Sequence, residues 1–550
     1  MTESSQRTVA QALVAGLCAQ RVTLAFAVAG ESYLAVLDAL FDVRDQLRLI
    51  TCRHEANAAN MAEATGKLTG RPGVCFVTRG PGACHASIAI HTAQQDATPL
   101  VVFVGQVAST DVGRDAFQEI DYQAMFGAVA KGVFTLDDPA RTSALVEAAF
   151  DTAMSGRPGP VVVSLPEDIL EAPCAAPIAR CIDRVEVPLQ EAAVQTVLER
   201  LCDAKRPLLW IGGSGWSAIG VAALERFASA WHLPVVSAFR RKDLFANSHP
   251  SYVGEAGFVL GQGARQALDE ADVILAIGTG LGDVETAGYT RLDPTRTACS
   301  LLHIAMRGLD LNRVFPASYG VIASPASAAR QLADQQAPQR LPWQTWARQC
   351  RSLYEQDLLP VAVTGQVNLS EVFLELRRQL PSDSIVTNGA GNYAAWLHRF
   401  FEHGQFGTQL APQSGAMGYG VPAGIAAALL QPTRRVVAVS GDGCFMMAAQ
   451  DLVTAAAYQA RVIFLVVNNQ SFGTIRMHQD HRFPGRTMAT DLINPDFVAL
   501  SEASGVSATR VLKTDEFSYA LRDALAADGP RLIELVTSVN DIAPGRQLQS

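Results

Sequence analysis

The stretch VVAVSGDGCFMMAAQDL, residues 436–452, sets an aspartate between two glycines directly after an uncharged, β-branched run. VVAVS is short and apolar throughout, the pattern of a parallel strand buried on both faces. Glycines at the end of such a strand let the backbone turn sharply and come close to a ligand. Asp442 then projects a charge from the carboxyl end of the sheet, where open α/β sheets bind their ligands. The plainer alternative is an aspartate that only caps the following helix.

Downstream of Gly443, 24 intervening residues lead to Asn468 and Asn469 in FLVVNNQSFG. A strand–helix–strand passage of that length brings both polar clusters out at one edge of the sheet. Asp442, the Asn469 side chain and a backbone carbonyl near Ser471 make an all-oxygen set. Such a set suits Mg²⁺, which takes few protein ligands and fills its octahedron with waters and phosphate oxygens. Gly441, Gly443 and the start of the next helix offer N–H groups to those phosphates.

The rest of the chain frames this site. At 550 residues it exceeds one core and implies three or four domains. A formal net charge of −9 argues against a nucleic-acid or anionic-membrane binder. PLVVFVGQV and RVIFLVV are strand-sized, not membrane spans, and MTESSQRTVAQAL carries no apolar signal segment. Ten cysteines without a CxxC pair fit reduced thiols, so a cytoplasmic location is expected.

Strand and helix signals alternate, predicting an α/β protein of three doubly wound parallel-sheet domains. The expected domains are 1–172, 187–338 and 365–545, with EAPCAAPIARCIDRVEVP and DQQAPQRLPWQTW as linkers. The first and third echo each other. RPGVCFVTRGPGA parallels TRRVVAVSGDGCF, and Gly80 to Gly105 is a step of 25 where Gly441 to Asn468 is 27. Related halves invite a ligand between them.

Gly-Asp-Gly followed after some two dozen residues by Asn-Asn resembles the thiamine-diphosphate signature. Along nearly the whole chain the sequence is similar to the acetohydroxyacid (acetolactate) synthase-like branch of that family. The resemblance implies a pyrimidine-binding, a central and a diphosphate-binding domain, in that order. It implies thiamine diphosphate and Mg²⁺ held at the interface of a homodimer or homotetramer, with Asp442, Asn469 and Ser471 on the metal. It also directs attention to Glu55 in TCRHEANAANMAEATG, the carboxyl group that bonds N1′ of the cofactor's pyrimidine. That role asks for a dry, apolar site; a favourable helix-start charge is the alternative.

In APQSGAMGYGVPAG, Met417 matches the residue that bends the cofactor and Gly415 the carbonyl that accepts from its amine. Core packing is the alternative for Met417. NGAGNYAAW stands where the synthases carry a Gly-Gln-His loop, with Gly391 retained and Asn392 and Tyr393 in place of Gln and His. Gln118 matches an active-site Gln, and His478 takes the place of the tryptophan that recognises the acceptor. His478 and His85 are candidate proton donors, and Arg476 a candidate for a substrate carboxylate, each with a surface or structural role as the alternative.

The flavin of the synthases is not expected here. Their acidic pair in the central domain corresponds to Ala305 and Arg307, and IGGSGWSAIG lacks the full dinucleotide fingerprint. The expected activity is decarboxylation of a 2-oxoacid, pyruvate as donor, with C–C carboligation to a second small carbonyl compound. The alternatives are a carboligase or lyase acting on a diketone or acyloin, and a catalytically silent cofactor-binding paralogue.

Overall fold

Short β-branched runs flanked by glycine become strands in the computed structural model, which describes residues 7–292 and 299–548. The first six residues of the N-terminal stretch, and Ala298 of ACSLLHIA, lie outside the described residues. The first sheet comprises β1 (Leu24–Ala27), β2 (Arg48–Thr51), β3 (Gly73–Val77), β4 (Leu100–Gln106), β5 (Gly132–Thr135) and β6 (Pro160–Pro166). The second comprises β7 (Pro207–Ile211), β8 (Val235–Ser237), β9 (Tyr252–Glu255), β10 (Val273–Ile277), β11 (Ser300–Ala305) and β12 (Tyr319–Ile322). The third comprises β13 (Ile385–Asn388), β14 (Gln409–Leu410), β15 (Val436–Gly441), β16 (Val462–Asn468), β17 (Ser507–Val511) and β18 (Arg531–Val536).

Every pairing in the three sheets is parallel. The first runs β2-β1-β3-β4-β6-β5 and the third β14-β13-β15-β16-β18-β17, the same order offset by twelve strands. The glycine-punctuated echo in the sequence is therefore one topology used twice. The second sheet runs β12-β11-β10-β7-β8-β9, the order of dinucleotide-binding folds.

Central strands such as β4 and β16 are buried along their whole length, which matches their unbroken apolar runs. Each fully buried valine, leucine or phenylalanine there contributes roughly 1.5–3 kcal/mol by leaving water. The most exposed strands lie at sheet edges. β5, β12 and β17 close their sheets and are half exposed, so polar residues interrupt them.

The chain folds into two compact units. One contains residues up to Val185 together with Ser414–Pro432 and Ala448–Ala460; the other contains Glu186–Gln413, Thr433–Met447 and Arg461 onward. Gly415 and Met417 thus belong with the first sheet, although sequence order sets them beside the third. Tyr419 donates to Glu63 at 2.5 Å, and the Thr92 and Ser414 hydroxyls lie 3.1 Å apart, fixing this segment on the helices Glu55–Thr69 and Pro81–Asp96.

Both stretches that read as linkers are packed straps. In the first, Cys174, Ala176 and Ala179 are buried and Cys174 N donates to Arg7 O. In the second, Trp343 is buried with its Nε1 donating to Trp231 O, and a helix already begins at Gln344. Proline and polar composition marked where regular structure stops, not where packing does. Among the described residues no helix is long and apolar enough to cross a membrane.

Candidate active site

Two sets of residues form, one in each compact unit. In the first, β2 ends at Thr51 and the chain enters a helix at Glu55, with His54 as N-cap accepting from Ala56 N through Nδ1. Glu55 therefore sits in the first helical turn, where the dipole favours a carboxylate. Its side chain is only 13% exposed, and Oε2 lies 2.8 Å from His85 Nδ1. The His85 and His54 rings are 4.4 Å apart, so two imidazoles and one carboxylate share a small space. His85 itself is half exposed and opens this cluster to water.

The turn after β3 builds the opposite wall. A Cβ on Gly82 would stand 3.6 Å from Glu55 Oε1, and one on Gly80 would stand 2.7 Å from Gln118 O. Gln118 occupies the left-handed region at φ +65° against that turn, a conformation costly for a residue with a side chain and frequent at functional sites. Gly415 is exposed with φ +71°, and Met417 is half buried beside it.

Asp451, which the sequence reading passed over, secures the approach to Glu55. Its buried carboxylate accepts from Asn57 Nδ2 at 2.6 Å, Arg53 N at 3.1 Å and Thr454 Oγ1 at 2.7 Å. Burial raises its pKa above the ordinary value, against the pull of those three donors.

In the second unit, Asp442 heads a short helix directly after β15 and is 3% exposed. Burial raises its carboxyl above the usual range, while bonds from Gly443 N, Asn494 Nδ2 and the Gln470 and Ser471 amides oppose the shift. Those amides bring the loop after β16 onto Asp442, so the two clusters meet at one sheet edge. The asparagine pair then divides its work. Asn468 is buried, donating to Glu534 at 2.7 Å and accepting from Asn494 at 3.1 Å; half-buried Asn469 accepts from Ser471 N at 3.1 Å. Asn494 touches both Asp442 and Asn468 yet lies on a later loop, outside the motif. Only the fold reveals it.

Tyr393 explains two of the glycines. Its ring lies where a Cβ on Gly441 would be 2.8 Å from Cδ1 and where one on Gly391 (φ +147°) would be 2.9 Å from the same atom. Its buried hydroxyl accepts from Gly389 N at 3.0 Å and donates to Cys444 Sγ at 3.4 Å. Asn392 accepts from Thr474 at 2.8 Å and so is tied to the helix Gly473–Arg482. On that helix Arg476 is ion-paired with Asp491, and His478 is exposed.

The donor set fits a metal-bound diphosphate. The candidate ligands are all oxygens, and three buried hydroxyls stand unpaired nearby. Ser440 Oγ, Ser471 Oγ and Thr490 Oγ1 have no hydrogen-bond partner among the described residues, a costly state that a bound polar group relieves.

This fold and donor set are those of an α/β enzyme that uses a metal–diphosphate cofactor. The chain matches the thiamine pyrophosphate enzyme N-terminal TPP binding domain over residues 7–125, the central domain over 194–332 and the C-terminal TPP binding domain over 389–535. It is 31% identical to the acetolactate synthase isozyme 2 large subunit of Escherichia coli (strain K12) over 530 residues, 96% of this chain and 95% of that protein. It is 30% identical to the acetolactate synthase large subunit of Parasynechococcus marenigrum (strain WH8102), covering 96% of this chain and 87% of that one. A probable acetolactate synthase large subunit of Methanocaldococcus jannaschii is likewise 30% identical, with 97% and 93% covered. The chain belongs to the thiamine pyrophosphate enzyme family, and it is a thiamine-diphosphate-dependent enzyme of the carboligating kind.

Proposed function

We propose that this enzyme removes CO₂ from a 2-oxoacid, with pyruvate as donor, and joins the remaining two-carbon unit to a second carbonyl compound, as an acetolactate synthase does. The convergence of Asp442, Asn469 and Ser471 at one sheet edge carries this reading. Asp442, Asn469 and the Ser471 carbonyl hold Mg²⁺, and N–H groups after Gly391 and Gly441 receive the diphosphate. Bound thiamine diphosphate supplies the electron sink for a carbanion at the former carbonyl carbon.

The protein's own residues do the rest. Glu55 would bond the pyrimidine ring of the bound cofactor and pass a proton at its carboxylate oxygen. His85, in contact with Glu55 and half exposed, connects that proton to water. Met417 packs against the cofactor, and Gln118 orients a substrate oxygen. We read the active form as a cytoplasmic homodimer or homotetramer with active sites at the subunit interface, and the domain division as 1–172, 187–338 and 365–545.

The central domain is read as flavin-free. After β7, Trp216 Nε1 donates to Gly212 O at 2.9 Å, and a Cβ on Gly213 would lie 1.9 Å from Gly278 O. The Arg241 guanidinium donates to Gly213 O as well. Trp216 and Arg241 thus bond the carbonyls of the loop at the sheet's switch point. Stoichiometric flavin absorbance in purified protein would overturn this part.

The deciding experiment is incubation with thiamine diphosphate, Mg²⁺ and pyruvate, following CO₂ and products by NMR. Acetolactate is the expected product. Bound cofactor without CO₂ release from pyruvate would transfer the reading to diketones and acyloins.

A further inference from the structure

The helix Gly473–Arg482 leaves the Asn469–Ser471 loop and, with the C-terminal segment from Ile542 to Leu548, walls a cavity of about 730 Å³. His478, His481, Arg482 and Arg546 line it, against a single carboxylate, Asp480. Arg476 on the same helix is neutralised by Asp491. Neither Arg482 nor Arg546 has a side-chain hydrogen bond or ion pair among the described residues. A helix C-terminus favours basic residues for its dipole alone, which accounts for His481 and Arg482. It does not account for Arg546, which another segment delivers to the same cavity.

The cavity shares walls with the metal loop. Met477 lines it, with Sδ 3.7 Å from Asn392 Nδ2. Ile542 lines it too, and a Cβ on Gly473 would meet Ile542 Cδ1 at 3.1 Å and Asn469 Nδ2 at 3.3 Å. Its volume falls within the ~300–1,000 Å³ of sites that enclose drug-sized ligands. A three-carbon monocarboxylate would leave most of it empty.

We propose that this cavity binds the distal carboxylate of a dicarboxylic 2-oxoacid, which serves as the acceptor in the carboligation. The inference rests on the carboligase reading and specifies its second substrate. Arg482 and Arg546 take the carboxylate, because guanidinium forks match its two oxygens. With 2-oxoglutarate as the probe, the C1–C2 bond of pyruvate breaks and CO₂ leaves. Pyruvate C2 bonds to C2 of the acceptor, and the acceptor's carbonyl oxygen takes a proton. The product is 2-acetyl-2-hydroxypentanedioate.

Two measurements on the holoenzyme test this. Equilibrium dialysis should show 2-oxoglutarate binding at least tenfold more tightly than pyruvate, with an affinity that falls as salt rises. The double variant Arg482→Gln/Arg546→Gln should lose at least tenfold in that affinity, while Arg522→Gln, on a different helix, should not. With both acids present, NMR should show the seven-carbon product exceeding acetolactate, and the double variant should lower that ratio at least tenfold. Equal binding of the two acids, or a double variant indistinguishable from wild type, overturns the inference. Absence of CO₂ release from pyruvate would instead count against the carboligase reading, and dialysis would still decide the cavity's ligand.

Discussion

Glu55 Oε2 lies 2.8 Å from Nδ1 of His85, at the head of the helix that follows β2. In the proposed reading, where Glu55 passes a proton at the cofactor ring, this contact puts a partner between the carboxyl and water. Replacing Glu55 with Gln keeps an acceptor for His85 but removes the titratable proton. Turnover should fall by about 10²–10⁴, the usual range for losing a general acid–base group. Circular dichroism should show the fold unchanged; a fully active variant would remove Glu55 from this role.

Asp442 is charged at a site that burial disfavours. Its raised pKa means that the ionised form costs stability at neutral pH, a cost that persists as pH rises and is relieved on acidification. Asp442→Asn should therefore leave the cofactor-free protein at least as resistant to heat as wild type. The same change should weaken thiamine diphosphate binding by at least ~100-fold, since even indirect metal-site partners are worth 10–100-fold. EDTA should release the cofactor from wild type, and thermal melts with and without it would separate the two effects.

Glu285 is buried in the second unit, with Thr279 donating to it at 2.5 Å. Burial pushes its pKa from 4.5 to about 7 despite that hydrogen bond, with Glu255 and Asp283 adding to the rise. The folded state then holds a proton that the unfolded chain releases between those values. Stability should fall as pH rises from about 4.5 to 7 and stay level above, by roughly 3 kcal/mol at ~1.4 kcal/mol per pH unit. Glu285→Gln should flatten that slope and raise the melting temperature at pH 8, measured by denaturation across the pH range.

Gly441→Ala places a methyl group 2.8 Å from the Tyr393 ring. Relief requires moving a buried tyrosine that also holds Gly389 N, so the cost should be about 1–3 kcal/mol. Urea unfolding would measure it. Cofactor affinity should fall in parallel, because the loop that Tyr393 braces is displaced.

Asp451→Ala strips acceptors from Asn57, Arg53 N and Thr454 at a site closed to water. Leaving those donors unpaired should cost about 2–4 kcal/mol of stability. The Glu55 turn should loosen with it, visible as faster amide hydrogen exchange near residues 53–57.

Much of this was legible in the sequence because the signals were local. β15 and β16 announce themselves as unbroken apolar runs, since a strand buried on both faces admits no polar residue. Gly-Asp-Gly and Asn-Asn mark their own strand ends. The edge strands β5, β12 and β17 left no such trace, because one exposed side frees them from that constraint. The straps through Cys174 and Trp343 read as linkers because packing without hydrogen-bonded periodicity has no sequence period.

Sequence alone determined the three parallel sheets, the repeated half and the cofactor class, all set by short-range pattern and fixed spacing. Tertiary structure decided what pairs residues far apart in the chain. It placed Gly415 and Met417 with the first sheet, brought Asn494 to Asp442, set Asp451 behind Glu55, and slid the Tyr393 ring beneath two glycines. It also gathered Arg546 and Arg482 around one cavity. Such meetings depend on how helices and loops close over a sheet, and loop closure costs little more for a long chain than for a short one. Partners can therefore come from anywhere along 550 residues, and spacing carries no record of them.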